Sequence, residues 1–452
     1  MIASKSPAGN LINYCFSKGK FGTSLKASGF DGILIHGKSE TPAGIEIYNQ
    51  SVKFTPAEGF TGLTNSKIKA KLGNKVAYAA YGTGAENDEL SSNILFDDLT
   101  SAGRGGVGLV WKAKNIKYIS VTGDAGKLNV FDKNKLEVQQ DKMNLLIDAS
   151  PFLSGEFGMK AYGSGALMDL LNKRNMLPVN DFQETNTKDI KKINAPSYKN
   201  NLKLKTRGCE LCSTKEVVFS KRKTTIPDFN SMVCFSTLIN NYEKKTVLEN
   251  LDICHENGLD AVSWANGISK YNKKTIAKEI KKIPVPPYDL RGSYGLALEM
   301  ATSTTGGSYI NPLILNHEVL RKPVPSDRFS FAGKARLVKY AQTVLTVFQS
   351  LVLCDHIIYA VPLELIMELI NAVTGENKSI NELLKTGETI LDMERKFNQL
   401  NGFSMKDDAI PEIFFNRTAK NKDGSSSKPI KKSEFKRALK EYYQLISDKF
   451  II

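Results

Sequence analysis

Residues 1–124 carry short apolar runs cut by glycine, proline and asparagine, among them GILIHG at 32–37, GIEIYN at 44–49 and YISVTG at 118–123. Apolar and β-branched residues bounded by turn formers predict strands joined by tight turns. From about residue 131 the pattern changes. LMDLLNKRNM at 167–176 and LVKYAQTVLTVF at 337–348 place apolar residues three and four apart, which predicts helices with one buried face. The stretch 183–224 is polar and basic and predicts mostly loop. The segment 417–432 predicts a flexible connection to a last helix at 433–449. No repeat is visible. The predicted architecture is α+β: a β-rich N-terminal domain at 1–124, then two mostly helical domains at 125–285 and 286–452.

The most apolar stretch, Val344 to Leu365, contains Gln349, Asp355, His356, Pro362 and Glu364. These residues are costly in a bilayer and predict a buried helix pair, so no membrane association is expected. The opening MIASKSPAGNLINYCF has no long apolar core and no small-residue cleavage site, so no signal peptide is expected. A 41% hydrophobic share excludes wholesale disorder. Six cysteines in 452 residues are too few for a disulfide scaffold and point to a reducing compartment, the cytoplasm. The net charge of +15 admits nucleic acid, phosphate-bearing ligands or acidic proteins as partners, and equally a simple solubility feature. Lysine and arginine are spread along the chain and no recognition motif accompanies them, so nucleic acid is not the expected partner.

Three motifs carry candidate chemistry. AGRGGVG at 102–108 satisfies G-x-G-x-x-G through Gly103, Gly105 and Gly108. Such backbone can approach a phosphate closely, and Arg104 adds charge. A dinucleotide site needs a strand before the motif and a helix after it. LVWKAKNIKYISVTG reads as mostly strand, which leaves a tight turn or another phosphate-bearing ligand. Cys209 and Cys212 form a CxxC that suits a metal, an iron–sulfur cluster or a redox dithiol. Zinc could recruit Cys254 with His255, or Cys354 with His356; Cys234 and Cys254 also read as small core residues. Gly258-Leu259-Asp260 ends a helical run and either turns Asp260 into a cavity or caps the helix. The four histidines, at 36, 255, 317 and 356, form no constellation.

Taken in order, these segments resemble the tungsten-dependent aldehyde ferredoxin oxidoreductases. SKSP at 4–7, LKASGFDGILIHGKSETP at 25–42, GTGAEN at 82–87 and AGRGGVGLVWKAKNIKYISVTG at 102–123 resemble that family's N-terminal motifs. YGSG at 162–165, LPVNDFQ at 177–183, CELC at 209–212, GLD at 258–260, PPYDLRG at 286–292 and ERKFNQLNGFSMKDDAIPEIF at 394–414 follow in the family's order. The resemblance implies oxidation of an aldehyde to a carboxylic acid, with electrons passed to ferredoxin. It implies tungsten, or molybdenum, held by two pterins, a magnesium ion linking the pterin phosphates, and a 4Fe–4S cluster. A homodimer is the assembly considered. Gly103 and Arg104 then correspond to a phosphate cradle, Leu259 and Asp260 to pterin contacts, and Leu353 to the second pterin motif. Cys209, Cys212 and Cys354 correspond to cluster ligands.

The departures from the family are specific. The family's opening strands are expected to be missing ahead of Met1. Its NSGG turn reads Phe16-Ser17-Lys18-Gly19, and the Asp opening its first pterin motif is His255. The third cluster cysteine is Glu216, whose carboxylate can ligate iron. The metal-side glutamate is Asn230, and the metal-side histidine is Tyr309, the expected proton donor. Two other functional classes therefore compete with the enzyme: a non-catalytic scaffold of the same fold, and a basic nucleic-acid binder.

Overall fold

The computed structural model describes the chain apart from residues 74–75, 98–99, 124–128, 200–203, 209–214, 220–225, 272–277, 309 and 447–452, and apart from the side chains of 204–208, 215–219 and 268–271. The chain forms two compact units. One comprises Met1–Asn129 with Glu249–Lys274, the other Val130–Leu248 with Thr275–Ile452. A β-sheet region comes first and mostly helical parts follow, as the pattern of apolar positions predicts.

The first unit opens with an antiparallel hairpin of β1 (Ile2–Lys5) and β2 (Ile12–Cys15). Its sheet contains β3 (Ala43–Tyr48), β4 (Ser51–Pro56), β5 (Ala77–Tyr81), β6 (Ile94–Phe96), β7 (Thr100–Ala102) and β8 (Ile116–Thr122), in the order β4-β3-β8-β5-β6-β7. Only β3 and β8 run parallel. Alternation along β5 sends Ala79 and Tyr81 into one apolar cluster, with Ile45, Ile47, Ile119 and Val121, and Tyr78 and Ala80 into another, with Phe60 and Ile68. Both faces of β5 are thus covered, which is why AYAAY has no charged position. A register shift beside Lys117 turns its side chain inward, where Nζ meets Glu86 Oε1 at 2.5 Å and Tyr81 O at 3.0 Å.

The second unit is built on helices, including Lys133–Ala149, Leu167–Lys173, Tyr294–Thr302, Lys334–Ser350, Leu363–Thr374, Ile380–Leu400 and Lys432–Ile446. Val344, Leu345, Val347 and Phe348 pack with Ile357, Ile358, Leu365, Ile366 and Leu383 in an apolar cluster. Among the described residues no helix is long and apolar enough to cross a membrane.

Four expectations are corrected. GILIHG forms no strand; Ile35 packs on the core edge while Leu34 is 84% exposed, and no ladder partner lies beside the run among the described residues. Val107–Ala113 is helical although its sequence, VGLVWKA, favours strand. Trp111 and Val107 supply its buried face, so tertiary packing overrides propensity. The described part of 183–224 is not loop throughout: it contains the helix Ala195–Lys199 and an antiparallel pair, Leu204–Gly208 with Lys215–Phe219. Finally, 417–432 is pinned: Ala419–Lys420 pairs with Ser426–Ser427, and Asn421 Oδ1 accepts from the Thr185 amide at 2.6 Å.

Candidate functional site

Three motifs far apart in sequence meet in the first unit around Ser91–Asn93, the residues leading into β6. On one side the Asn93 amide donates to Gly258 O at 2.9 Å and the Asp260 amide to Ser91 O at 2.7 Å, with a bridge between Ser92 and Leu259. On the other side Ile94 pairs with Ala102, which carries the chain into Gly103 and Arg104. The third motif, Gly82–Asn87, closes over Asn257. Thr83 Oγ1 donates to Asn257 Oδ1 at 2.6 Å, and a Cβ at Gly84 would meet Asn257 O at 2.9 Å. The motif's second glycine is therefore required by close approach.

Gly103 is required for a similar reason: a Cβ there would lie 2.9 Å from Asn93 Cβ. Arg104, Gly105 and Gly106 follow with φ of 76°, 77° and 82°. Glycine adopts this left-handed backbone freely, but a side chain there costs about 1–2 kcal/mol. Arg104 is nonetheless 6% exposed, and its Nε lies 3.7 Å from Asp260 Oδ2. The same Asp260 oxygen accepts from the Ser263 amide at 2.8 Å and from Ser263 Oγ at 2.6 Å, so Asp260 caps the helix Ala261–Tyr271. Gly258, at φ 69°, ends the preceding helix. The GLD corner caps helices and also brings the Asp260 carboxylate beside Arg104.

In the second unit Leu353 is half-buried on the apolar cluster and Cys354 is exposed. Cys209, Cys212 and Tyr309 lie outside the described residues. Glu216 sits opposite Arg207 in the strand pair, with its side chain outside them. Among the described residues no three His, Cys, Asp or Glu side chains converge on a metal position. Asn230 Oδ1 is buried with no hydrogen-bond partner among the described residues.

The sequence reading missed two buried acids. Glu299 lies on a helix whose every residue is buried, and its Oε2 finds no partner among the described residues. Burial pushes its pKa to about 8, against the opposing charge of Lys281 and a hydrogen bond from Gln342. Glu394 is pushed to about 7 by burial, although Thr304 Oγ1 donates to it at 2.6 Å. The segment that precedes Tyr309 is held by this network. Lys281 Nζ donates to Ser303 O at 2.6 Å, Asn398 Nδ2 to Thr304 O at 2.7 Å, and Gln342 Nε2 to Thr302 Oγ1 at 3.0 Å. The available signal was a single acid inside the otherwise apolar run YGLALEMAT.

Comparison with known proteins places these motifs. The family model "Aldehyde ferredoxin oxidoreductase, N-terminal domain" matches residues 1–123, and "Aldehyde ferredoxin oxidoreductase, domains 2 & 3" matches 139–272 and 267–447. The chain belongs to the aldehyde ferredoxin oxidoreductase family. This is a family of oxidoreductases. The chain is 26% identical over 481 residues to the tungsten-containing aldehyde ferredoxin oxidoreductase of Pyrococcus furiosus, covering 91% of this chain and 79% of that protein. The aliphatic sulfonate oxidoreductase, WOR-like subunit, of the same organism is 25% identical over 292 residues, 59% of this chain and 46% of that protein. The BamBC active-site complex of benzoyl coenzyme A reductase, solved with 1,5-dienoyl-CoA, shares the fold. Its TM-score is 0.76 at 17% identity, with 98% of this chain and 82% of that chain covered.

The relatives' tungsten implies a tungsten–pterin group, and the first unit offers residues that fit one. Asn93 Oδ1 and Ser92 Oγ flank the Gly103–Arg104 turn, are buried, and have no hydrogen-bond partner among the described residues. Leaving such a group unsatisfied costs about 1–3 kcal/mol. A ligand bearing both phosphate and ring N–H groups suits a buried guanidinium, a carboxylate and these polar atoms together.

Proposed function

We propose that this family member oxidises an aldehyde to a carboxylic acid at a tungsten, or molybdenum, bis-pterin, and passes the electrons through an iron–sulfur cluster to ferredoxin. The observation that carries the reading is the convergence of GTGAEN, AGRGG and GLD on the buried Arg104–Asp260 pair. When bound, the group supplies the two-electron chemistry, and the protein supplies orientation and electrostatics. Gly103 lets the backbone approach a phosphate, Arg104 offsets its charge, and a magnesium ion shares that charge. Asp260 would accept ring N–H bonds, and Leu259 and Leu353 would serve as the apolar contacts to the pterins. Cys209, Cys212, Cys354 and the Glu216 carboxylate hold the cluster. Tyr309 would donate the proton.

The test is elemental analysis of protein purified without oxygen from tungstate-supplied cells. Near-stoichiometric tungsten or molybdenum supports the reading, and absence of both refutes it. Asn230 favours a second reading, a cofactor-bearing but catalytically silent homologue, because an amide exchanges no proton near neutral pH. Aldehyde-dependent reduction of a viologen dye by the metal-loaded protein separates the two.

A further inference from the structure

The left-handed turn that presents Arg104 does not hold itself. Its two carbonyls are gripped from below by the β1–β2 hairpin. Asn13 Nδ2 donates to Arg104 O at 3.0 Å, and Ser6 Oγ donates to Gly105 O at 2.8 Å. The Ala8 amide adds a bond to Gly105 O at 3.3 Å. Asn13 and Ser6 are 1% and 2% exposed, so water does not compete for these bonds. The fit is close: a Cβ at Gly105 would lie 2.8 Å from Ser6 Oγ and 3.0 Å from the Asn13 amide.

We propose that Asn13 is a positioning residue, which acts through Arg104 by fixing its carbonyl and thereby the buried direction of its guanidinium toward Asp260. The inference rests on the proposed role of Arg104 in holding a pterin phosphate. The physical argument is that a non-glycine residue at φ 76° persists only where its surroundings over-determine it. A carbonyl fixed by a side-chain amide cannot rotate back toward the ordinary backbone regions without breaking that bond. Ser6 does the same for Gly105, whose own conformation is free of strain; on Arg104 O the Asn13 amide at 3.0 Å is joined by the weaker Cys15 thiol donor at 3.7 Å, so Asn13 carries the larger share. Asn13 lies 91 positions from Arg104, and nothing in its local sequence marks the role.

Asn13→Asp tests it, since it preserves shape and replaces the donor by an acceptor facing the Arg104 carbonyl. The cofactor-independent readout is hydrogen exchange at the Ala8 amide in the full chain. The variant should exchange at least tenfold faster than wild type at pH 7, with β8 unchanged. Burial holds the introduced carboxyl above the ordinary carboxylate range, so the ratio should return toward one as pH falls below its raised pKa, where it is protonated and donates again. A hairpin that is only a structural prop gives no such pH profile. A ratio near one at every pH from about 5 to about 9 overturns the proposal. Tungsten per chain is the second readout. If Asn13→Asp and Arg104→Ala both fall to a tenth of wild type or less, the positioning role stands. If Arg104→Ala loses tungsten and Asn13→Asp keeps it, the positioning role fails. If Arg104→Ala keeps the wild-type level, the phosphate reading fails instead, and the exchange ratio alone decides whether Asn13 holds the turn.

Discussion

Replacing Glu299 by glutamine removes an ionisation that the second unit resists. In the unfolded chain this carboxyl has a pKa of about 4.5, and in the folded chain about 8. Between those values the native state holds a proton that the unfolded state has released. Its contribution is therefore fully present below about pH 4.5 and is lost as pH rises, by about 1.4 kcal/mol per pH unit, until about pH 8. At pH 7 the accumulated loss is about 3 kcal/mol by the same linkage. Glutamine keeps the side chain's shape and cannot ionise. Lys281 is not stranded by the change, because Nζ lies 2.7 Å from Asp408 Oδ1. The new amide brings donors into a site with few acceptors, which costs about 1 kcal/mol of the gain. The expected net stabilisation at pH 7 is about 2 kcal/mol.

Glu394 sharpens the assay. Its pKa of about 7 gives wild type and variant the same additional slope up to that pH. From pH 7 to 8 the wild type loses a further ~1.4 kcal/mol while the Glu299→Gln protein stays nearly flat. Urea denaturation at half-unit pH steps, followed by far-ultraviolet circular dichroism, measures both curves. Parallel curves across pH 5–8 would refute the claim that Glu299 is buried and protonated at neutral pH.

Three further outcomes are expected. Asp260→Asn retains a competent helix cap but takes the carboxylate away from the buried Arg104 guanidinium, so calorimetry should show a loss of about 1–3 kcal/mol, while tungsten per chain falls at least tenfold; equal tungsten would remove Asp260 from the site. Gly103→Ala forces a methyl against Asn93 and should cost about 1–3 kcal/mol in denaturant titration, so an unchanged midpoint would contradict the close approach of the two segments. Anaerobic reconstitution of Cys354→Ala should yield fewer irons per chain than wild type, and Glu216→Cys should lengthen the cluster's lifetime in air. Iron at the wild-type level in Cys354→Ala rules that thiol out as a ligand.

The order of sheet and helix was legible because β-branched runs bounded by turn formers give strands such as β8, and apolar residues three and four apart give helices such as Lys334–Ser350, although both bury more positions than those patterns mark. Elements failed to show where the deciding partner is distant. Val107–Ala113 is helical because Trp111 and Val107 have a core to enter, and GILIHG lacks a strand because nothing pairs with it among the described residues. The segment 417–432 is anchored through Asn421 to Thr185, 236 positions away, and its composition alone reads as linker. The site divides in the same manner. Gly103, Arg104 and Asp260 stand out as motif residues, whereas Asn93, Ser92 and Asn13 are ordinary polar residues until the fold surrounds them. Glu299 looked like one acid in a helix; full burial changes its chemistry.

Retention of the cofactor and turnover are separable in this chain, because they depend on different residues. Around Arg104 the motif glycines are where close approach demands them, and a carboxylate lies beside the guanidinium. In the proposed reading the proton-handling positions are Asn230 and Tyr309, where the resembled family has an acid and an imidazole. A buried Arg104 held in a costly conformation is hard to explain if nothing binds there, since a glycine at 104 would relieve about 1–2 kcal/mol of strain. The proton donor is another matter. A phenol must be shifted by several pKa units to act near neutral pH, and an amide cannot act at all. In the proposed reading tungsten content therefore reports on retention of the group, and aldehyde-dependent dye reduction reports on proton handling and electron exit. A chain that carries tungsten and reduces no dye would place the lost chemistry at residues 230 and 309 rather than in the cofactor cradle.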